Sequence, residues 1–238
     1  VTTQKRTGTA RILLPLLAIL VFSVAVRCRA QEGYIGRYDT FVGFSNINAP
    51  FVNNLNQPGL GTQIGVVHNR WLASGFDYSV QTGSTPLTPN LLTKTLQQEL
   101  AAELPTGYSL RVPTDLNIQT FTAGSQLVYR RFQRVPLFIH PVLSAFRVKA
   151  TPHPGDAIAT LVAAQLVPKG YKLDWAGGYG IGGGADVHVS RHLSARMAVD
   201  IAYSHPMNDI LGNGGWIYRF TVGPSFHYGR NVALRTVK

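Results

Sequence analysis

Residues 216–228, Trp-Ile-Tyr-Arg-Phe-Thr-Val-Gly-Pro-Ser-Phe-His-Tyr, alternate so regularly that few folds can accommodate them. Read with period two, one face is Trp216, Tyr218, Phe220, Val222, Pro224, Phe226 and Tyr228. The other is Ile217, Arg219, Thr221, Gly223, Ser225 and His227, polar or small at all but its first position. Successive strand side chains point to opposite faces, so this segment is a β-strand held between an oily surface and a wet one. Its apolar face carries aromatics at both ends, the arrangement of a strand that meets two lipid–water interfaces.

The N-terminal residues address the same question of location. Lys5, Arg6 and Arg11 precede an apolar run from Ile12 to Val26, and Cys28-Arg29-Ala30 places small residues where a signal peptidase reads them. Residues 1–30 are therefore expected to be a secretory signal. The apolar run is about 15 residues, short of the roughly 20 that a membrane-spanning helix needs. This segment also holds five of the 22 Lys and Arg, no acid and the single cysteine. The rest of the chain has 17 basic against 11 acidic residues, so the net charge of +11 falls to +6. Basicity that belongs largely to a targeting signal gives nucleic-acid binding no support. Without a cysteine, thiol and disulfide chemistry are excluded from the mature chain.

Residues 31–229 read as one β-barrel domain and 230–238 as a short C-terminal tail. Strands are expected at about 36–46, 61–68, 73–82, 117–131, 135–149, 173–190, 193–204 and 216–228. Connections after strands one, three, five and seven read as long, and those after two, four and six as short. The long insertion at 83–116 includes Leu92, Leu96, Leu100 and Leu104 at helical spacing, with Asn90 as the cap and Pro105 as the stop. The expectation is an all-β fold: a closed antiparallel eight-stranded transmembrane meander barrel with one short helix in the long loop between strands three and four. Closure is required because lipid offers backbone groups no partner. Pro141 and Pro224 fall inside strands and predict a bulge or a missing ladder bond at each.

The segments Tyr-Asp-Thr-Phe-Val-Gly-Phe (38–44) and Phe-Thr-Val-Gly-Pro-Ser-Phe-His-Tyr-Gly (220–229), set in this architecture, resemble the small outer-membrane barrels of the OmpA/OmpX type. The resemblance covers nearly all of residues 36–228. It implies insertion by the barrel assembly machinery into a bacterial outer membrane, among outer-membrane lipids and lipopolysaccharide. Such barrels usually finish on an aromatic residue, whereas here Gly229–Lys238 follows Tyr228.

Strand parity puts Asp186, Arg196, Asp200 and Arg219 on the inward faces of three neighbouring strands. A barrel of eight strands is just wide enough for side chains to fill it. Two readings follow: a charge network that closes the lumen, or a narrow polar channel. Asp77, Arg130 and Arg147 are candidate extensions of either. The outward aromatics Tyr38, Phe44, Trp216, Tyr218, Phe226 and Tyr228 form the expected girdle.

Gly178-Tyr179-Gly180-Ile181-Gly182-Gly183 matches a dinucleotide-binding pattern, but in strand register rather than at a strand–helix turn. It reads as room for large side chains opposite. His188 and His192 lack the helical context that would make their spacing a metal site, so neither a metal nor a cofactor is expected. His188, Ser190 and Asp186 share parity, the arrangement an outer-leaflet lipid hydrolase would need. They lie at the wrong end of the barrel for such a substrate, and the chain reads as non-enzymatic. Loops 46–60 and 83–116 are the candidate contacts for an extracellular partner.

Overall fold

The computed structural model describes residues 34–105, 107–132 and 134–233. The expected signal (1–30) and the last residues of the expected tail (234–238) lie outside this range. The strands are β1 (Gly36–Ala49), β2 (Leu55–Val67), β3 (Leu72–Leu87), β4 (Val112–Tyr129), β5 (Leu137–Pro152), β6 (Lys172–His188), β7 (Leu193–Ser204) and β8 (Gly215–Asn231). Each pairs antiparallel with its neighbours, and β8 pairs with β1 to close a meander barrel. The register of β8 against β7 (Asp200 opposite Arg219) and against β1 (Phe44 opposite Val222) keeps the apolar face of residues 216–228 outward.

Pro141 and Pro224, the two prolines expected inside strands, point outward, and the ladder fails on one side of each. Pro141 pairs with Ile181 of β6, while pairing to β4 stops between Ala123–Leu143 and Leu127–Ile139. Pro224 pairs with Ala195 of β7, while pairing to β1 stops between Phe41–Ser225 and Phe44–Val222. The register is the same before and after each gap, so each proline costs a ladder bond without inserting a bulge.

Several strands run well past their expected ends. β1 and β2 meet through a tight turn at 50–54, in which Asn53 and Asn54 adopt left-handed backbone (φ 49° and 53°). Segment 46–60 is therefore a hairpin tip, which corrects the long loop expected after strand one. Residues 83–87 and 112–116 are likewise strand.

The cause is a reversal of polarity along the strands. Over most of the barrel the exposed outward residues are Val42, Leu60, Ile64, Phe76, Leu143, Ile181 and Val199. Near the long-loop end of β1–β5 the outward residues become Asn46, Asn48, Asn56, Ser84, Asp115, Asn117, Lys149 and Thr151, while Ile47, Ala49, Leu55, Leu116, Val148 and Ala150 are buried inside. The lower barrel is oily outside and polar inside; the upper part of these five strands is the reverse. Their 13 to 18 residues exceed the roughly 9–11 that cross a bilayer, and the excess projects beyond the lipid band.

The expected helix is present as α1 (Lys94–Glu103), shorter than the Leu91–Leu104 reading. Pro89–Leu91 form a single 3₁₀ turn, and Thr93 rather than Asn90 caps the helix by accepting from the Leu96 N–H. A second helix, α2 (Ala157–Leu166), lies between β5 and β6, where a plain loop was expected. Its sequence Ala-Ile-Ala-Thr-Leu-Val-Ala-Ala-Gln-Leu is apolar nearly all round, so it has no 3.6-residue stripe to read. Asp156 caps it, Oδ1 accepting from the Ala159 N–H at 2.8 Å. The two helices share an apolar cluster of Leu92, Leu100, Leu110, Val112, Ala159, Val162 and Ile210. Together they form a dome over the long-loop end.

Candidate functional site

The lower half of the lumen is crossed by two layers, each built around one arginine. In the first, Arg219 of β8 donates from Nε (3.0 Å) and Nη2 (2.5 Å) to Asp200 Oδ2 on β7. Its Nη1 reaches Asp77 on β3 and, at 3.1 Å, Ser79 Oγ. His140 Nε2 of β5 lies 3.0 Å from the other oxygen of Asp200. In the second, Arg196 of β7 holds Asp186 in a two-point contact, Nε to Oδ1 at 2.6 Å and Nη2 to Oδ2 at 2.8 Å. Its Nη1 and Nη2 both donate to Asp39 of β1, and Nη1 also donates to Gln63 Oε1 at 2.8 Å. The Phe138 ring lies 5.3 Å from the Arg196 guanidinium.

Arg196 and Arg219 are only 2% and 5% exposed. Guanidinium suits such a place because its planar fork satisfies two carboxylates at once and stays charged. Strands from opposite sides of the barrel are thereby tied through its centre: β1 and β6 through Arg196, β3 and β7 through Arg219. Two cavities of about 30 Å³ adjoin these layers, one lined by Arg219, Asp77 and Asp200 and the other by Arg196, Asp39 and Asp186, each of a size for water.

All four charges expected inside are thus placed in these two layers, with Asp77 in the first. Arg130 stands at the short-turn end, its Nε donating to the Arg70 carbonyl. Arg147 is on the outward face of the projecting β5 and donates to Gln119 at 3.3 Å, so it does not extend the lumen network. Asp39, Gln63, Ser79 and His140 are additional members. Asp39 and Gln63 share inward parity with their neighbours and were readable. His140 was hidden by the irregular alternation around Pro141.

The inward glycines of β6 fit against these layers. A Cβ on Gly182 would stand 2.0 Å from Asp200 Oδ1 and 2.6 Å from His140 Nε2. A Cβ on Gly184 would meet the Phe138 ring at 2.7 Å. Packing therefore accounts for the glycine pattern that formally matches a nucleotide motif.

The serine and histidine positions do not assemble as the His188–Ser190 reading required. Ser190 sits in the β6–β7 turn and accepts from the His192 N–H at 3.4 Å, while His188 packs edge-on to the His227 ring, 5.4 Å away. A different Ser–His–Asp order does occur. Ser194 Oγ and His227 Nε2 are 2.7 Å apart, and His227 Nδ1 stands 3.8 Å from Asp39 Oδ2. Asp39 is already bound by Arg196, the His–Asp separation exceeds a hydrogen bond, and Ser194 is 1% exposed. No substrate carbonyl can reach this serine. Ligand atoms of Asp39, Asp186 and His227 also fall within 4.8 Å of one another. Arg196 occupies the space between the two carboxylates, so the set does not suit a cation.

The outward aromatics form two groups. Tyr38 and Tyr228 (ring centroids 5.7 Å apart) lie at the short-turn end with Phe226. Trp216 and Tyr218 stand toward the long-loop end, where Tyr203 stacks edge-on to Trp216 and Phe121 lies beside Trp175. Phe44 sits between the groups, opposite Val222.

No family model matches the chain, and no curated protein matches it. Solved structures do. Neisserial surface protein A is 13% identical and aligns over 83% of this chain and 100% of its own, with a TM-score of 0.51. The attachment invasion locus protein Ail of Yersinia pestis is 10% identical over 82% and 99%, with a TM-score of 0.48. OprG of Pseudomonas aeruginosa is 9% identical over 84% and 100%, with a TM-score of 0.49. The fold is that of the small eight-stranded outer-membrane barrels. At this identity the likeness extends to the fold alone.

Above the charged layers the lumen changes character. Ser45, Gln57, Gln81 and Thr120 form a buried polar belt, in which Gln81 Nε2 donates to Ser45 Oγ at 2.7 Å. One strand step higher begins an apolar vault of Ile47, Leu55, Leu116, Ile118, Val148 and Ile217, roofed by Met207 and Leu211. The sequence reading expected polar filling throughout; the upper part is filled by hydrocarbon.

Proposed function

We propose that the protein is a non-enzymatic barrel of the bacterial outer membrane whose lumen is a structural plug and whose domed end carries a surface-interaction role. The single observation behind this reading is the pair of arginine layers, each tying strands together across the centre of the barrel. The apolar exterior with two aromatic groups supports a place in lipid, outer-membrane lipids and lipopolysaccharide being its surroundings. The export signal and insertion by the barrel assembly machinery belong to the same reading. In that setting the short turns face the periplasm and the dome faces outward. Segments 88–111 and 205–214, rather than the strand-bound residues of 46–60 and 83–116, present the surface to an extracellular partner.

A narrow channel requires both guanidinium layers to move aside, and a hydrolase requires an accessible nucleophile. The geometry favours neither. The test is solute efflux: liposomes loaded with a pentose and carrying the refolded protein are expected to leak no faster than empty ones. Rapid efflux restores the channel reading. Lipid A acyl chains unchanged by the protein, and equally by Ser194→Ala, are expected if no hydrolase is present.

A further inference from the structure

The vault above the charged layers is more than the packed underside of a lid. It holds a partly open cavity of about 90 Å³ whose exposed lining is hydrocarbon, from the barrel wall (Ile47, Leu116, Ile118, Val148) and from above (Phe51, Met207). Well-packed interiors leave few voids larger than a water molecule. Apolar cavities stay dry and take up apolar guests; one of about 150 Å³ binds benzene. This cavity is of the same order, and water gains nothing from its walls.

The roof is built to close over the cavity rather than merge with its wall. It is joined to the insertion between β3 and β4 by backbone bonds, Thr93 N–H to the Ile210 carbonyl and Gly212 N–H to the Leu91 carbonyl, both 2.9 Å. On the barrel side it is held by polar ties at the rim, Lys172 to Asp209 and the Met207 N–H to Asp174 Oδ2 at 2.5 Å. Met207 holds a left-handed backbone (φ 53°), a conformation that a side chain of this kind adopts only when its surroundings impose it. Below, the polar belt and the Arg219 layer close the floor.

We infer that this vault is a binding site for a compact, uncharged, apolar molecule of benzene size, entered from the domed end. The size excludes a folded lipid, and the aliphatic walls give a charged or strongly polar guest no partner. The inference goes beyond the proposed function and does not depend on whether the lumen conducts.

The test uses the full barrel in lipid nanodiscs with labelled Ile, Val, Leu and Met methyl groups, titrated with benzene. Saturable shifts are expected at Ile118, Val148 and Met207. The lipid-facing methyls of Ile64, Leu143 and Met197 are expected to drift linearly as benzene enters the bilayer. Nuclear Overhauser contacts between benzene protons and Ile118 or Met207 decide occupancy in the wild type alone. Filling the space with Ala150→Leu or Ala49→Leu is expected to weaken binding about tenfold or more, since an overfilled core has no room to yield. Vault methyls that drift together with the lipid-facing ones, absent Overhauser contacts, or saturable binding untouched by a correctly folded filling variant would each overturn the inference.

Discussion

At the scale of single residues, the two buried arginines carry the argument. Removing one partner of a buried ion cluster leaves uncompensated charge and costs about 3–5 kcal/mol, whereas replacing the whole cluster by apolar groups is often neutral. Arg219→Ala, which strands Asp77 and Asp200 in the lumen, is expected to destabilise the barrel by about 3–5 kcal/mol. Asp77→Leu/Arg219→Met/Asp200→Leu is expected to recover most of that loss. Urea unfolding in lipid vesicles, read by tryptophan fluorescence, checks both. A second prediction concerns Asp156 on the dome. Its carboxyl is held below the usual carboxylate range first by the Ala159 N–H and then by the Tyr108 hydroxyl, and Asp156 in turn pushes the Tyr108 hydroxyl up. A depressed folded pKa means the cap acts fully above the ordinary carboxylate value and is lost as pH falls through the lowered one. Amide protection at Ala159 and Thr160, taken relative to the intrinsic exchange rate at each pH, is expected to fall in that acid window, and Asp156→Ala to show the low protection at every pH.

At the scale of elements, β6 offers a sharp comparison. A Cβ on the inward Gly180 would lie 1.9 Å from the Ile201 carbonyl oxygen, while one on Gly177 meets nothing within 4 Å. Gly180→Ala is expected to cost about 1–3 kcal/mol by forcing backbone apart, and Gly177→Ala to leave the unfolding midpoint in place. The same strands show why the sequence was legible where it was. Within the lipid band, period-two alternation separates lumen from lipid, so β7 was readable to the residue and β8 at its start, though β8 runs on to Asn231, past the expected end at 228 and into the expected tail. Beyond the band the polarity of the two faces exchanges. Asn46, Asn56 and Pro58 then look like loop residues, although they sit on paired strands and Asn46 Nδ2 donates to Asn56 Oδ1 at 2.7 Å. The helix α1 was visible because its leucines recur on one face; α2 was not, because hydrocarbon surrounds it. The charged layers were partly legible for a related reason. Arg196 and Arg219 stand on strands with clean parity, whereas His140 stands beside a proline that disturbs the pattern. The apolar vault was legible only in part. Ile118, Val148 and Ile217 stand on segments that read as strand, Ile217 as the apolar member of its inward face, whereas Ile47, Leu55, Leu116, Met207 and Leu211 come from segments that read as loops.

For the whole molecule, the layers form a sequence along the barrel axis: paired charge, a polar belt, an apolar vault, then a helical dome. Each guanidinium is fixed by carboxylates from different strands of the wall, and on the proposed reading the two layers interrupt solvent between one end and the other. Unitary conductance of the refolded protein in a planar bilayer, wild type beside Arg219→Ala, tests that claim most directly. A wild type that adds no steps to the bare bilayer is the expected result. Steady unitary steps from the wild type, changed in size by Arg219→Ala, would contradict a plugged barrel and make the arginine layers the lining of a channel.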